Sequence, residues 1–489
     1  MKRVILSVMM IAVTQVALWA APFTQGNLVV YRVGDGTSLL TNAGNYAFLD
    51  ELTTNGTLVQ SIALPQNEFI DGNGNVNYPI QNSAAATSEG MMTLSTDGRY
   101  LVFTGYATND NWKTSNGGLP LPTSTVVPRV VGRAGALGDV DTTTGLSPLG
   151  NIISGSGGNP RAVASTDGSN FWIAVSTKGV CYTTLGSNDV RQLVGNTNKR
   201  AVGVYDQRAD FAYPPGHQQL YVVNAAGPLS IGTNVATVSS VETQLVGVTS
   251  SHPPLISPYE FVLLPLQAGS SNVDTAYLAD EGSALAGSVS KWCYSSITSN
   301  WSNFGSVSAS IFALPCGVRG ITASISVSGS QTNVNLYVAA GCGGGLGTLT
   351  GTVLPGGWLY AITDSSGFGG TLTGSLPAPI AATSNLFAGT PLVEWRGVAF
   401  APAETLRVTS ISKSGSDVPL KWDAMAGRSY IVQSTPGDAN GNYNSSSFTD
   451  LSPTNFTLGF GLTQNSFTDS AGATNKPSRY YRVKLVPEP

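Results

Sequence analysis

Met91-Met92-Thr93-Leu94-Ser95-Thr96-Asp97-Gly98, leading into Tyr100-Leu101-Val102-Phe103, is echoed further on by Ala162-Val163-Ala164-Ser165-Thr166-Asp167-Gly168, leading into Phe171-Trp172-Ile173-Ala174. Each copy is an apolar strand, a polar turn and a second strand with an aromatic residue near its start. The shared Asp-Gly suits a tight hairpin because both residues tolerate positive φ at the central positions. Looser copies follow: 201–205 before Gln219-Leu220-Tyr221-Val222-Val223, 261–264 before Thr275-Ala276-Tyr277-Leu278, and 320–326 before Asn335-Leu336-Tyr337-Val338. A sixth first strand, Gly397-Val398-Ala399-Phe400, has no second strand after it. Its natural partner is Asn27-Leu28-Val29-Val30-Tyr31, at the other end of the repeat region.

Helical periodicity is nearly absent, and a supersecondary unit repeated in this way points to a radial array of four-stranded blades. The expected fold is all-β: a six-bladed β-propeller over residues 22–403, closed by a blade that takes strands from both chain ends and so removes an exposed sheet edge. Segments 46–52 and 57–63 would finish that shared blade. Segments 289–294 with 300–306 would complete another, and 357–363 with 371–376 a third. Seven blades is the alternative count, with the extra blade inside 108–158; a pair of sandwiches or a β-helix is the competing architecture. Beyond residues 402–405 the repeat stops. Leu420 and Trp422, then Tyr430 and Val432, alternate with polar neighbours, and Ser447-Phe448-Thr449-Asp450 is repeated as Ser466-Phe467-Thr468-Asp469. Residues 406–486 are expected to form a small immunoglobulin- or fibronectin-like sandwich, without the Cys…Trp…Cys spacing of an antibody domain.

The chain has 489 residues, of which only 11% are charged, with a formal net charge of −4 and no basic block. That balance lacks the electrostatic footprint of a nucleic-acid binder. Lys2 and Arg3 ahead of the apolar stretch 4–13, with the small residue Ala20 following, read as an export signal over residues 1–20. No later stretch is long and apolar enough to span a bilayer. A secreted or cell-surface monomer is expected.

Trp422-Asp423-Ala424, Gly427-Arg428-Ser429-Tyr430-Ile431-Val432-Gln433-Ser434 and the closing Tyr480-Tyr481-Arg482-Val483 resemble a C-terminal module of secreted proteins from environmental bacteria. The repeat region resembles uncharacterised bacterial propellers. The final Val486-Pro487-Glu488-Pro489 is similar to the opening of the PEP-CTERM sorting signal, an incomplete match without the membrane helix and arginine cluster. The resemblance implies export and architecture and brings no catalytic residues.

The residue ahead of each first strand reads, in order, Glu89, Arg161, Arg200, Glu260, Arg319 and Arg396. First strands line a propeller's channel, so these six side chains are expected to form one ring with the glutamates about opposite each other. Guanidinium forks suit carboxylates, which makes the ring a candidate ligand-binding mouth. The competing reading is that its members pair with each other and close the channel, because buried charges must be paired. Four arginines there would repel a hard cation, so no metal or other cofactor is expected.

Other motifs carry less. Asp71-Gly72-Asn73-Gly74-Asn75 and Asp438-Ala439-Asn440-Gly441-Asn442 echo half a calcium loop but lack its glutamate, and read as turns. His217 and His252 fall in loops, no Gly-x-Ser-x-Gly elbow exists, and the Gly-rich run 341–347 lacks the Lys of a phosphate loop. Asp50, Glu51, Asp274, Asp280 and Glu281 are the acids available for glycoside chemistry, but the adjacent Asp50 and Glu51 face opposite sides of a strand. Cys316 and Cys342 flank one hairpin and are expected to bridge, whereas Cys181 and Cys293 belong to different blades. Tyr106, Trp112 and Trp301 near blade edges are candidates for stacking on a ligand. The leading expectation is an extracellular binding or scaffold protein for a glycan, peptide or protein. A polysaccharide hydrolase or lyase and a structural envelope component are the alternatives.

Overall fold

The structure is a computed structural model. It describes residues 20–486 except 39, 41–43, 85–87, 109–126, 147–157, 196–197, 207–217, 232–234, 246, 249–256, 268–271, 283–286, 309–316, 329–330, 342–355, 384–392, 404–407, 426–428, 439, 445–446, 457–461 and 475–477. Twelve-residue and shorter strands account for nearly all its regular structure. No helix among the described residues is long and apolar enough to cross a membrane.

Six four-stranded antiparallel blades make the propeller. Blade 1 is the closing blade. Its strands, from the channel outward, are Glu394–Phe400, Leu28–Val33, Asn45–Leu52 and Leu58–Ala63. Blade 2 is Thr93–Leu94, Tyr100–Tyr106, Arg129–Gly135 and Val140–Leu146. Blade 3 runs Pro160–Ser165, Asn170–Val175, Gly179–Thr184 and Arg191–Val194. Blade 4 runs Lys199–Asp206, Gln218–Asn224, Gly227–Ile231 and Glu242–Gln244. Blade 5 runs Pro258–Leu264, Thr275–Asp280, Ser288–Ser295 and Asn300–Ser308. Blade 6 is Gly317–Ser328, Gln331–Gly341, Gly357–Asp364 and Ala381–Ala382. A short strand, Gln81–Asn82, pairs with both blade 1 and blade 2 and stitches them into one sheet.

The count is therefore six. The stretch 108–158, held open for a seventh blade, supplies the two outer strands of blade 2. A second correction concerns blade 6, whose outer strand is Ala381–Ala382 rather than 371–376. Segment 371–376 instead lies against the outer strand of blade 5, through parallel bridges Gly305↔Leu372 and Ser308↔Ser375. Gly305, at φ 92° with no room for a Cβ beside the Leu372 carbonyl, permits that close approach.

The burial of each strand follows its radial place. Second strands, covered on both faces by neighbouring blades, are buried along most of their length, and along all of it in Leu28–Val33 and Thr275–Asp280. The outer strands Leu58–Ala63, Glu242–Gln244 and Asn300–Ser308 are more open, with mostly half-buried and exposed residues. This explains why the second strands read as continuous apolar runs and the outer ones carry a weaker pattern. Adjacent inner strands also touch. Met91 N–H donates to the Arg161 carbonyl (3.1 Å), and Gly397 N–H to the Gly90 carbonyl (3.1 Å).

Residues 408–486 form two further antiparallel sheets. One holds Val408–Ile411, Val418–Met425 and Leu462–Asp469. The other holds Ser429–Pro436, Arg479–Val486 and two short strands, Thr449–Asp450 and Asn455–Phe456. Both contribute to one core around Trp422, with Leu420, Tyr430, Val432 and Val483.

Candidate functional site

Five of the six inner strands carry the same irregularity. In blade 3 the register jumps from Pro160↔Val175 to Ala162↔Ala174, leaving Arg161 as the extra residue of a β-bulge. The same jump isolates Arg200 in blade 4, Tyr259 in blade 5 and Arg319 in blade 6. In blade 1 the pairing passes from Arg32↔Trp395 to Val30↔Val398, so Arg396 and Gly397 together face Tyr31. A bulge leaves one residue out of the ladder and re-aims its side chain. The bulged residues thus form a crown around one end of the channel, in the order Arg396, blade 2, Arg161, Arg200, Tyr259, Arg319.

This corrects the ring expected from sequence. Glu260 is not the counterpart of the arginines; Tyr259 is. The Tyr259 ring lies between two guanidiniums, 4.5 Å from that of Arg200 and 5.5 Å from that of Arg319. Glu89 also leaves the series, because alignment of the shared Ser-Thr-Asp-Gly turns puts Met91 opposite Arg161. The missed signal was a proline, since Pro160 and Pro258 each immediately precede the bulged residue.

The crown divides into two halves. Arg319 donates to Glu281 Oε1 (2.5 Å) and to the buried Glu394 (3.1 Å), and Arg396 donates to the other oxygen of Glu394 (3.0 Å). Arg396 also donates to the Ser83 carbonyl (2.6 Å) and lies near the buried Glu89. Burial alone would depress the Arg319 guanidinium, but Glu281 and Glu394 outweigh it and hold it above its usual range. This half is closed by its own ion pairs.

Arg161 and Arg200, both half-buried, bind neutral groups instead. Arg161 donates to the Asn198 amide oxygen and to the Lys199 carbonyl (3.3 Å), while its buried Nε has no hydrogen-bond partner among the described residues. Arg200 donates to Ser257 Oγ (2.7 Å) and to the Pro258 carbonyl (2.9 Å). Burial and the charge of Arg200 both push the Arg161 guanidinium down, while Tyr259 and Glu89 pull it up. Two neighbouring cations with no ion-paired carboxylate among the described residues are a place where an anion would be welcome.

Behind the crown the channel encloses a cavity of about 160 Å³ walled by every blade, with Val398, Leu94, Ala164, Val202, Phe261 and Ile321 among its lining. Glu260 is the one charged residue in that lining. Its carboxylate accepts the Ile321 N–H (2.9 Å), and burial pushes its pKa up to about 8. Glu89 accepts from Tyr106 Oη (2.6 Å) and is raised by burial to about 7, against the opposing pull of Arg396.

The remaining sequence candidates disperse. Asp50 is bound by Arg32, Ser61 and Trp395, while Glu51 takes Thr24 N–H, Asn27 and Gln60 on the opposite face. Asp274 and Asp280 accept backbone N–H groups of neighbouring turns. Tyr106 and Trp301 are buried and unavailable for stacking on a ligand, a correction to their expected role. Asp71 and Asp438 each cap their own turn through backbone N–H groups two and four residues on. Cys181 and Cys293 are buried and free, in third strands of blades 3 and 5. Trp112, His217, His252, Cys316 and Cys342 lie outside the described residues. Among the described residues no cluster of three or more His, Cys, Asp or Glu is placed to hold a metal.

No protein family matches the sequence, and no curated protein does. Solved structures do. A Lactobacillus plantarum protein is similar over 91% of this chain and 100% of its own, at 14% identity and a TM-score of 0.37. A proposed 6-phosphogluconolactonase from Bacteroides uniformis covers 91% of this chain and 100% of its own, at 12% identity and a TM-score of 0.31. A second such protein, from Bacteroides fragilis, covers 90% of this chain and 98% of its own, at 13% identity and a TM-score of 0.35.

Proposed function

We propose that this is an extracellular binding protein whose propeller mouth holds an anionic group of a glycan, peptide or protein partner. The observation that carries the reading is the asymmetry of the crown. Arg319 and Arg396 are consumed by Glu281 and Glu394, whereas Arg161 and Arg200, both partly exposed residues, are bonded among the described residues only to neutral groups. A carboxylate, sulfate or phosphate entering there gains charge-assisted hydrogen bonds without having to displace an existing ion pair. The paired half supports a structural role of its own, holding blades 5, 6 and 1 together at the channel end.

Binding of the protein to an array of acidic and neutral glycans and acidic peptides tests this, beside Arg161→Gln/Arg200→Gln. The expected result is retention of acidic members, weakened at least about tenfold in the variant and by added salt, with the melting temperature kept. Failure of the wild type to retain any acidic member, or equal retention by the variant, overturns the proposal.

A further inference from the structure

The C-terminal sandwich carries an aromatic surface that the propeller mouth does not explain. In the strand Arg479–Val486, Val483 points into the core, and the alternate residues Tyr480 and Arg482 emerge together on the outer face of the four-stranded sheet. The Tyr443 ring lies on Tyr480, with centroids 4.5 Å apart and planes at 34°. Phe448 meets Tyr443 edge-on at 5.7 Å and 82°, and the Arg482 guanidinium stacks 4.4 Å above Phe448.

The arrangement is held in place before any ligand arrives. Asp438 Oδ1 accepts the N–H groups of Asn440 (2.9 Å) and Asn442 (2.7 Å), and Tyr480 Oη donates to the Gly441 carbonyl. Arg482 Nε is tied to Gln433 (2.6 Å). Tyr443 nevertheless stays 53% exposed. A large ring that is oriented by its neighbours yet left open to solvent is a platform.

We infer that this platform binds a neutral saccharide ring, with Tyr443 as the stacking face. A pyranose offers an apolar C–H face bordered by hydroxyls, and the platform offers a tyrosine ring on a turn whose neighbouring residues Asn440, Asn442 and Ser447 are polar and exposed. A protein partner fits less well. Standard interfaces bury about 800 Å² on each side. Among the described residues, the other large apolar ones exposed on the sandwich, Val408 and Ile411, belong to the opposite sheet. The site is independent of the anion reading above, in place and in chemistry.

Affinity electrophoresis of the full chain through native gels containing hydroxyethylcellulose, xylan or galactomannan tests it. Retardation is expected in at least one gel. Tyr443→Ala should weaken it at least tenfold at unchanged melting temperature, Tyr443→Trp should preserve it, and Arg161→Gln/Arg200→Gln should leave it unaltered. Free migration of the wild type in all three gels overturns the inference. So does retardation that survives Tyr443→Ala, or that is lost only with the two arginines.

Discussion

Glu260 shows how a single side chain sets a pH limit on this fold. Its carboxyl is raised by burial to about 8, against an ordinary value near 4.3 in an unfolded chain. Between those values the folded protein keeps a proton that the unfolded chain gives up. The stability from this group is therefore complete below about pH 4.3 and is lost as pH rises through about 8. Glu89, raised to about 7, acts in the same direction. Glu260→Gln keeps an acceptor for the Ile321 N–H and removes the ionisation. Its melting temperature is expected to fall less than that of the wild type between about pH 5 and 9, with the gap widening toward the alkaline end. Parallel thermal curves across that range would mean that Glu260 is already ionised in the fold. The identity of the crown residues was legible at four of six positions, all arginines. In blade 5 the neighbouring Glu260 stood in for the bulged Tyr259, and in blade 2, whose inner strand carries no such bulge, Glu89 lies outside the series, because charge was followed where backbone register decides.

Among the elements, the two copies of the Ser-Thr-Asp-Gly turn have the same local conformation and different surroundings. Gly98 and Gly168 share a φ of 76°. A Cβ on Gly98 would meet nothing within 4 Å, whereas on Gly168 it would lie 2.3 Å from the Tyr100 ring of the preceding blade. That ring is already occupied on another side by the Arg133 guanidinium at 4.7 Å. Gly98→Ala should cost only the left-handed backbone term, about 1–2 kcal/mol. Gly168→Ala should cost at least roughly twice as much, since the blade contact must also shift. Denaturant unfolding of the two variants checks this, and equal losses would show that Tyr100 moves aside freely. Both turns were readable from sequence as hairpins; that only one is also a contact between blades was not. The outer strand of blade 6 was misplaced for a related reason. Segment 371–376 has strand-like residues, but its bonds go to blade 5, from Leu372 N–H to the Phe304 carbonyl at 2.7 Å.

The propeller as a whole depends on a closure between distant parts of the chain. Asp50 accepts hydrogen bonds from Arg32 Nε (2.8 Å), Ser61 Oγ (2.7 Å) and, from the C-terminal strand, Trp395 Nε1 (3.1 Å). All of this lies in a buried setting where the carboxylate neutralises Arg32. Removing one partner of a buried pair typically costs about 3–5 kcal/mol. Asp50→Ala is expected to lower the unfolding free energy by that order, and Asp50→Asn, which keeps the shape and one acceptor oxygen but not the charge, by less. Because blade 1 joins residues 28–63 to 394–400, tryptophans in other blades, such as Trp172 and Trp292, should report the same shifted transition. An early, separate loss of signal near Trp395 would instead show that the closing blade opens by itself.

The periodic run of apolar strands, the hairpin turns, the sharing of one blade between chain ends and the arginine-rich line ahead of the first strands are all written along the chain. These are consequences of alternation, turn chemistry and repetition, which act over a few residues. Blade packing alone decided that Tyr259 belongs to the crown, that Glu281 and Glu394 neutralise half of it, and that Arg161 and Arg200 have no ion-paired carboxylate among the described residues. Whether a charge is paired depends on which distant strand lies within about 4 Å, and that distance is set by blade packing and by single-residue bulges rather than by neighbours along the chain.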